Sequence, residues 1–507
     1  MKKHLAFSVW LLAFGLPVGA QQLLTLDSCR AMALRNNKQM DVSRIKQDVA
    51  KNIRKSARTK YLPHISAIGT FQHVSEEISI LNEDQKTGLS TLGDQFAGLA
   101  GQGMTNLNTG LTSVLTSLSL PAPVMTKVGS DLNALQTKMA GGVGEIKDAL
   151  NAEGQKIVDA FRTDTRNIWA GTVMAVQPVF MGGSIIAMNK MADLGEEFAR
   201  NSATARQQAV IYTVDQAYWQ VVSLKHKKRL AESFLTVVKK LDSDVQKMIV
   251  EGVATKGDGL SVSVKVNEAE MAVQQVSDGL VLSKMLLCQM VGLPMSGDII
   301  LADEDVQNLD VNVTVPVLNV ESAMENRPEL KMLDNTVGMT KQTTNVLKAG
   351  NLPMVALTGG YSVANPSVYN GFEKKFKGCW NVGVLVRVPL WNWGDVAYKV
   401  RAAKGASAIA SLELEEAREK IELQVNQTTF KVEESNKRLM MAQSSVEKAD
   451  ENLRMANLGF SEGVVTPTTV LEAQTAWLQA KSQLIDAQIN VLLSRVDLQK
   501  VQGTLAQ

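Results

Sequence analysis

One stretch of this sequence occurs twice, 211 residues apart. EGVVTPTTVLEAQ at 462–474 repeats the pattern of EGVATKGDGLSVS at 251–263. The same shift superposes WAGTVMAVQPVFMGG, which begins at Trp169, on WNVGVLVRVPLWNWG, which begins at Trp380. Upstream, a shift of 290 residues superposes YLPHISAIGTFQH on NLPMVALTGGYSV. Because self-similarity of this kind is a signature of architecture, the chain is predicted to consist of two copies of one structural unit.

Each copy contains a long segment without proline, between Pro178 and Pro294 and between Pro389 and Pro467. Since proline costs about 3 kcal/mol inside a helix, these segments are candidate long helices. The second segment is rich in Ala, Leu, Glu, Lys and Gln, which are strong helix formers. A helix over about 396–457 would be roughly 90 Å long, which exceeds what a compact domain holds. The sequence therefore predicts two long helical hairpins, at about 184–290 and 395–502.

Alternating segments precede these helices. In 380–390 every even-numbered residue is apolar, while Asn381 and Arg387 lie between them. Such alternation is typical of a strand with lipid on one side and water on the other. Four strands of about ten residues, long enough to cross a membrane when tilted, are predicted at about 61–73, 168–180, 351–362 and 379–391. A soluble β-sandwich is the alternative, but four strands are too few to make one.

Bulk properties exclude several classes of protein. Residues 1–20 have the charged start, apolar core and small-residue end of a cleavable export signal. A net charge of +2 gives no reason to expect nucleic acid as a partner. The three cysteines are widely spaced and predict neither a metal cluster nor a disulfide framework. No H-E-x-x-H, G-x-S-x-G or Walker sequence occurs, so the protein is predicted not to be an enzyme and to need no cofactor.

Taken together, the chain after the signal resembles the TolC-type outer-membrane efflux proteins along nearly its whole length. The resemblance is carried by LTLDSCRAMALRNN, by the QPVFMGG and VPLWNWG junctions, and by the two EGV(A/V)T turns. It implies a mixed α and β membrane protein. Three chains, with four strands each, would share a twelve-stranded β-barrel that continues into a long α-helical tunnel in the periplasm. Lipid permits no open sheet edges, which agrees with completion of the sheet by other copies.

The resemblance also implies a function and partners. The protein would be the outer-membrane channel of a tripartite efflux or export system, with a periplasmic adaptor and an inner-membrane pump as partners and lipid around its strands. Drug, metal and protein substrates are not distinguished by this sequence. The alternative is a structural or adhesive coiled-coil protein of the envelope, which does not account for the duplicated alternating strands.

The repeats are predicted at 21–293 and 294–507, with a linker or belt at about 294–327. A large insert at about 74–167, predicted to be extracellular, breaks the symmetry. It carries apolar residues at helical spacing, which are Leu89, Leu92, Phe96 and Leu99, then Leu132, Leu135, Met139 and Val143. Two interpretations stay open for this insert. It is either a set of short helices that forms a lid or docks a surface partner, or a poorly ordered loop.

The resemblance further implies that carboxylates just after the second EGV turn narrow the closed entrance. Those positions are Thr469 and Glu472 here, and their equivalents in the first copy are Asp258 and Ser261. Three copies would bring six carboxylates to one constriction, which favours cations. The alternative is an ordinary role at a helix start, with Asp258 as the N-cap and Glu472 as a solvated acid of the first turn.

Phe460 matches an aromatic residue that the family uses in closing contacts near the tip, with simple packing between helices as the alternative. Six residues of the two turns are candidate adaptor contacts: Gly252, Val253, Thr255, Gly463, Val464 and Thr466. Glycine is expected at a tight turn for backbone reasons alone, so the two glycines are weak evidence for a contact surface.

Overall fold

A computed structural model describes residues 23–505, except for 78, 101–112, 121, 123, 129–142, 163, 297, 307–308, 310, 312–318, 368 and 370–372. The predicted signal lies outside the described residues, as do Leu132, Leu135 and Met139 of the insert. The chain divides into two compact units. The helical unit comprises the residues up to Thr59, Gly183–Gly350 and those from Trp391 onward; the strand unit comprises Lys60–Gly182 and Asn351–Leu390.

The elements recur in the same order in both halves of the chain, except that the first half has additional helices in the insert. They are β1 (Leu23–Leu24), α1 (Leu26–Asn36), α2 (Lys38–Thr59), β2 (His64–His73), α3 (Glu83–Ser90), α4 (Leu92–Ala100), α5 (Val143–Ala160), β3 (Asn167–Met181), α6 (Ser184–Val250), α7 (Lys256–Val291), β4 (Ile300–Leu301), α8 (Val320–Asn326), α9 (Pro328–Lys348), β5 (Met354–Asn365), β6 (Lys377–Arg387), α10 (Asp395–Ser461) and α11 (Pro467–Val501). None of the helices in the described part of the chain is both long enough and apolar enough to cross a membrane.

The two long hairpins match each other residue by residue. Helices α6 and α10 contain 67 residues each, and both their first and their last residues differ by the shift of 211. Each begins after a glycine in the left-handed region, Gly183 with φ +81° and Gly394 with φ +79°. The residue before also has positive φ in both copies, although it is Gly182 in the first and Trp393 in the second. The duplication therefore extends to backbone conformation, even where it places a bulky residue in a conformation that costs roughly 1–2 kcal/mol.

The shorter helices of the two halves are related by the other shift, of 290 residues. Helix α1 ends at Asn36 and α8 at Asn326, while α2 begins at Lys38 and α9 at Pro328. The last part of the predicted linker at 294–327 is thus a helix of the second repeat. Earlier in this linker, β4 pairs in parallel with β1.

The largest apolar core of the helical unit surrounds the middle of α6. Buried residues of α1, α7 and α11 pack against Val214, Tyr218 and Val221 of that helix. One ion pair lies within this core. The Nε and Nη2 atoms of Arg30 donate to the two carboxylate oxygens of Asp215 at 2.7 and 2.6 Å, and the Asp215 side chain is fully buried. This bidentate pair fixes α1 to the first long helix.

The strand unit contains one antiparallel sheet in the order β2–β3–β5–β6. Side chains alternate along a strand, so the register places the side chains of all four strands on two common faces of the sheet. Apart from Gln177, beside Leu357, and Asn365, beside Trp169, one face carries only apolar, aromatic or glycine residues between its ends: Ile65, Ala67, Gly69, Phe71, Trp169, Gly171, Val173, Ala175, Leu357, Gly359, Tyr361, Val363, Gly378, Trp380, Val382, Val384 and Val386. We call this the apolar face. The opposite face, called the polar face, is mixed and includes Ser66, Thr70, Gln72, Thr172, Thr358, Ser362, Lys377, Cys379, Asn381 and Arg387.

Strand β6 ends at Arg387, before the predicted end near 391. Pro389 explains the difference, because proline has no N–H to donate to a strand ladder. Trp391 and Trp393 therefore follow the strand rather than belong to it, and their rings pack edge to face with centroids 5.8 Å apart.

The insert forms a packed helical domain in its described part. Helices α3, α4 and α5, together with helical residues at 113–117 and 124–128, enclose a separate apolar core: Leu81, Leu89, Leu92, Phe96, Leu115, Leu120, Val124, Val128, Leu150 and Ile157. Two glycines let the helices approach closely. A Cβ atom at Gly154 would overlap the carbonyl oxygen of Leu89, and one at Gly93 would overlap that of Lys147. Of the two interpretations of the insert, packed helices are therefore correct for the described residues.

Candidate functional site

Both long hairpins turn through the same backbone motif. Two hydrogen bonds close each turn, with lengths of 3.1 and 2.8 Å in both copies. They run from Gly252 N to Ile249 O and from Val253 N to Met248 O in the first turn, and from Gly463 N to Phe460 O and from Val464 N to Gly459 O in the second. Gly252 and Gly463 have φ values of +75° and +72°. Since side chains rarely tolerate this region, the turn itself requires both glycines.

A threonine then caps the next helix in each copy. The Oγ1 atom of Thr255 accepts a hydrogen bond from the N–H of Asp258 at 3.2 Å, and Thr466 does the same for Thr469 at 3.4 Å. Each threonine thus satisfies one of the backbone donors that a helix start leaves without a partner. Both are exposed at the tips, so their candidate role as adaptor contacts is compatible with their role as caps.

Asp258 is hydrogen-bonded to the N-cap residue, Thr255, and is not itself the N-cap. Its carboxylate accepts hydrogen bonds from the backbone N–H of Thr255 at 3.1 Å and from the Thr255 hydroxyl at 2.7 Å. The expectation that Asp258 is the N-cap is therefore wrong. Thr255 is the last extended residue, and Asp258 completes a capping box from the third helical position. The hydroxyl and backbone hydrogen bonds from Thr255 hold the pKa of Asp258 below its ordinary value, so the tip keeps this negative charge at neutral pH.

The second hairpin has a different charge arrangement. Thr469 stands in place of Asp258, and its hydroxyl lies 3.2 Å from that of Thr466. Glu472 is exposed and has no hydrogen bond or ion pair to any residue that the structure describes, and Ser261, its counterpart in the first hairpin, is exposed as well. Within the described chain no hydrogen bond or ion pair joins Asp258 to Glu472. The two carboxylates are therefore not paired with each other within one chain.

Phe460 lies partly buried in an apolar cluster that joins both hairpins, here called the tip cluster. Its buried members are Phe234, Val238, Leu241, Val245, Val262, Ala269, Ala456, Val470, Leu471 and Ala473. Packing accounts for the position of Phe460 within one chain, and its closing contact stays a prediction. The tip cluster holds the two turns beside each other in the helical unit.

Two valines at the turns project outside this cluster. Val253 and Val464 are 71% and 78% exposed and occupy equivalent positions. Apolar side chains that are exposed to solvent often mark a contact surface for another protein. Val253 and Val464 therefore stay candidate contacts for a partner.

Sequence reasoning missed two residues of the tips. Gly259 is buried, and a Cβ atom there would lie 2.6 Å from Cδ1 of Ile249, so the helices of the first hairpin approach closely at this point. Gln474 is only 2% exposed, and its Oε1 atom has no hydrogen-bond partner in the described structure. A usable signal existed for Gln474, because it lies four residues after the buried Val470 and therefore on the same side of α11.

The threonine caps lead to a testable prediction. Thr255→Ala removes the N-cap, which costs about 1 kcal/mol, so hydrogen exchange in the first turn of α7 should accelerate about fivefold. The contribution of Asp258 is present above its unfolded pKa, near 4, and is lost as the pH falls through its lowered folded pKa. Hydrogen exchange with mass spectrometry measures both effects. Thr466→Ala is the matched control, because it removes a cap without an acid and should show no such pH dependence. Equal exchange in wild type and Thr255→Ala would contradict the capping box.

Comparison with known proteins finds relatives for the later part of this chain. Residues 319–504 match the model of the family described as outer membrane efflux protein. Two curated relatives are the outer membrane protein TolC of Vibrio cholerae, 26% identical over 192 residues, and that of Escherichia coli, 25% identical over 217 residues. These matches cover 37% and 40% of this chain but only 43% and 44% of the relatives, so the chain matches less than half of their length.

Solved structures extend the likeness to the fold of nearly the whole chain. The chain resembles CusC with a TM-score of 0.70 at 13% identity, covering 94% of this chain and 91% of CusC. It resembles VceC from Vibrio cholerae with a TM-score of 0.69 at 14% identity, covering 94% and 96% of the two chains. These structures confirm the predicted fold class, with long helical hairpins and an antiparallel sheet. The predicted TolC-type family is supported by the family match over residues 319–504 and by the two TolC relatives. The matched family and both curated relatives are named as outer membrane proteins, which agrees with the predicted outer-membrane location.

Proposed function

We propose that this chain is the outer-membrane channel of a tripartite efflux or export system and works as a homotrimer with a periplasmic adaptor and an inner-membrane pump. One observation carries the proposal. The sheet has a largely apolar face, a mixed polar face, and two outer strands, β2 and β6, each of which has one edge that no strand in the described chain pairs. Lipid requires such edges to be paired. Three copies would close a twelve-stranded barrel with its polar face toward a water-filled pore.

An exposed stripe on α2 also favours assembly. Val42, Ile45, Val49 and Ile53 are each more than half exposed and recur every three or four residues. A helix normally buries such a stripe. Neighbouring copies in a trimer would supply the missing cover.

The hairpin tips would form the entrance of the pore. In a trimer three copies of Asp258 and three of Glu472 would bring six carboxylates to one end, where rings of charge favour cations. Phe460 would make the closing contact beside them. The turn residues Gly252, Val253 and Thr255, with their counterparts Gly463, Val464 and Thr466, would contact the adaptor. The substrate class stays open.

Single-channel conductance of the purified protein in a planar bilayer tests this function. We expect a small, cation-selective current in the wild type. In Asp258→Asn/Glu472→Gln the current should rise and most of the selectivity should disappear, because the substitutions keep the shape and remove the charge. Glu415→Gln is the control, since Glu415 is exposed on α10 and, at 1.5 Å per residue, about 70 Å from its end.

Each outcome has a distinct meaning. A current that is unchanged by the double substitution places the gate elsewhere and leaves the channel in place. A folded, inserted protein that never conducts contradicts the channel itself. An equal effect of Glu415→Gln contradicts a local role of the tip acids.

A further inference from the structure

Helix α9 packs against two long helices at once. On one side, Leu330 of α9 lies in a core with Leu414 of α10. On another side, Asn335 contacts α6, the long helix of the first repeat. The Nδ2 atom of Asn335 donates to the carboxylate of Glu197 at 3.1 Å, and the Nδ2 atom of Asn201 donates to Oδ1 of Asn335 at 2.9 Å. Helix α9 therefore joins the second repeat to the first.

Helix α2, the counterpart of α9 in the first repeat, packs against α6. The shift of 290 residues places Ile45 at the position of Asn335 and Ile53 at the position of Thr343. Thr343 also contacts α6, since its Oγ1 atom lies 3.6 Å from Sδ of Met191. Ile45 and Ile53 are both more than half exposed. The side with which α9 contacts the neighbouring repeat is therefore, in α2, the exposed stripe.

Helix α10 exposes the side with which α6 contacts α9. Met191 and Asn201 of α6 correspond, 211 residues later, to Ala402 and Leu412 of α10. Both of these residues are exposed. Ile409, which lies three residues before Leu412 and thus on the same side of the helix, is exposed as well. The exposed sides of α2 and α10 thus correspond to the two halves of a contact that is complete between α9 and α6.

The long hairpins show the same relationship. The hydroxyl of Tyr212 on α6 donates to Oδ1 of Asp497 on α11 at 2.8 Å. The shift of 211 residues maps this pair onto Leu423 of α10 and Leu286 of α7. Leu423 is more than half exposed, and Leu286 belongs to an exposed apolar row on α7: Leu260, Val264, Met271, Leu282 and Leu286. Helices α7 and α10 therefore expose the sides with which α11 and α6 meet.

The chemistry of these positions changes in pairs. Between α6 and α9, and again between α6 and α11, the internal contact is a hydrogen bond between polar side chains. At the counterpart positions both members of each pair are leucine or isoleucine, although they lie on separate helices and are exposed in the single chain. Such a paired change is expected where two residues contact each other, because a buried polar group without a partner costs free energy. Exposed apolar rows are also the usual mark of an interface.

We infer that α10 of one copy packs against α2 and α7 of the next copy, in the register with which α6 packs against α9 and α11 of its own chain. The inference rests on the proposed trimer and specifies its contacts. Leu412 would face Ile45 of the next copy, and Leu423 would face Leu286 of the next copy. Head-to-tail contacts of this kind can close into a ring. Three chains would then give six contacts of one type, three within chains and three between them.

Disulfide formation between two copies tests this register. Two differently tagged chains are expressed together, one with Ile45→Cys and the other with Leu412→Cys. Both carry Cys379→Ser, and the remaining Cys29 and Cys288 are fully buried. A disulfide requires Cα atoms within about 7 Å of each other. Oxidation of isolated membranes with copper phenanthroline should therefore give a covalent dimer that carries both tags, which only a contact between copies can produce.

Exchange of partners gives the matched control. Ile53→Cys should cross-link with Ala402→Cys, because the counterparts of these two residues are in contact. The swapped combinations are Ile45→Cys with Ala402→Cys and Ile53→Cys with Leu412→Cys. They use the same four cysteines but move one partner by eight or ten residues, which is about 12–15 Å along a helix. We expect at least tenfold less covalent dimer from the swapped combinations.

The outcomes separate the register from the channel. Cross-linking of the predicted combinations, including Leu286→Cys with Leu423→Cys, and not of the swapped ones supports the register. Equal cross-linking of predicted and swapped combinations overturns it. Failure of the predicted combinations to cross-link, while a native gel shows these variants as trimers, also overturns the register and leaves the channel in place. Wild-type protein that migrates as a monomer on the native gel overturns both the register and the proposed trimer.

Discussion

Alanine at Gly154 is expected to unfold the insert. The new Cβ atom would overlap the backbone carbonyl of Leu89, which cannot move without α3, so α3 and α5 must separate. Overpacking of a core costs typically 1–3 kcal/mol and more where backbone is involved. This core is small and separate from the rest of the chain, so its free energy of unfolding is expected to be smaller than this loss. Limited proteolysis should cut Gly154→Ala within the insert while the two long hairpins stay intact.

Gly144→Ala is the control for this prediction. It makes the same substitution in the same helix, but no atom lies within 4 Å of the new Cβ. Alanine favours a helix over glycine by about 1 kcal/mol, so this variant should resist the protease at least as well as wild type. Resistance of Gly154→Ala equal to that of Gly144→Ala would show that the helices do not pack as closely as described.

Loss of Arg30 is expected to destabilise the helical unit strongly. Arg30→Ala leaves the fully buried carboxylate of Asp215 without its partner. Breaking a buried pair costs about 3–5 kcal/mol, and we expect the lower end because the Arg30 side chain is 26% exposed. Thermal unfolding followed by circular dichroism should show the loss. Arg44→Ala breaks a comparable pair with Asp41 at the surface, where the cost is about 0–1 kcal/mol.

The same variant should depend on pH in a defined direction. Burial and, to a smaller extent, the Asp27 charge raise the pKa of Asp215 while Arg30 opposes the shift, so removal of Arg30 leaves both of these causes unopposed. A carboxyl group with a raised folded pKa binds its proton more tightly in the folded state, which makes folding more favourable as the pH falls. Arg30→Ala should therefore lose less stability at pH 5 than at pH 8. The opposite trend, or a loss no larger than that of Arg44→Ala, would contradict a buried charge at Asp215.

The repeat made the long elements predictable. Absence of proline and the shift of 211 residues located both hairpins. A helix of 67 residues contains so many helix-forming residues that its composition identifies it. Alternation predicted which residues of β6 share a face, because the period of a strand is two. That strand ends where Pro389 lacks the N–H needed for the next hydrogen bond. A pattern of apolar residues contains no information on this point.

Details at the tips were less predictable. Both Thr255 and Asp258 are acceptable N-caps, and only the backbone conformation decides between them. The partner of Asp215 lies 185 residues away in the chain, so no local pattern signals it. The core of the insert depends on Gly154 and Gly93, where the informative feature is the absence of a side chain.

The equal lengths of α6 and α10 restrict how this chain can change during evolution. Both turns share the tip cluster, so a deletion of seven residues from each helix of one hairpin would retract its turn by about 10 Å and separate it from the other. The equivalent change would have to occur in the other copy, 211 residues away, to restore the match. Homologous chains should therefore differ in hairpin length only by paired insertions or deletions, whereas the insert between β2 and β3 is free to vary in one copy alone.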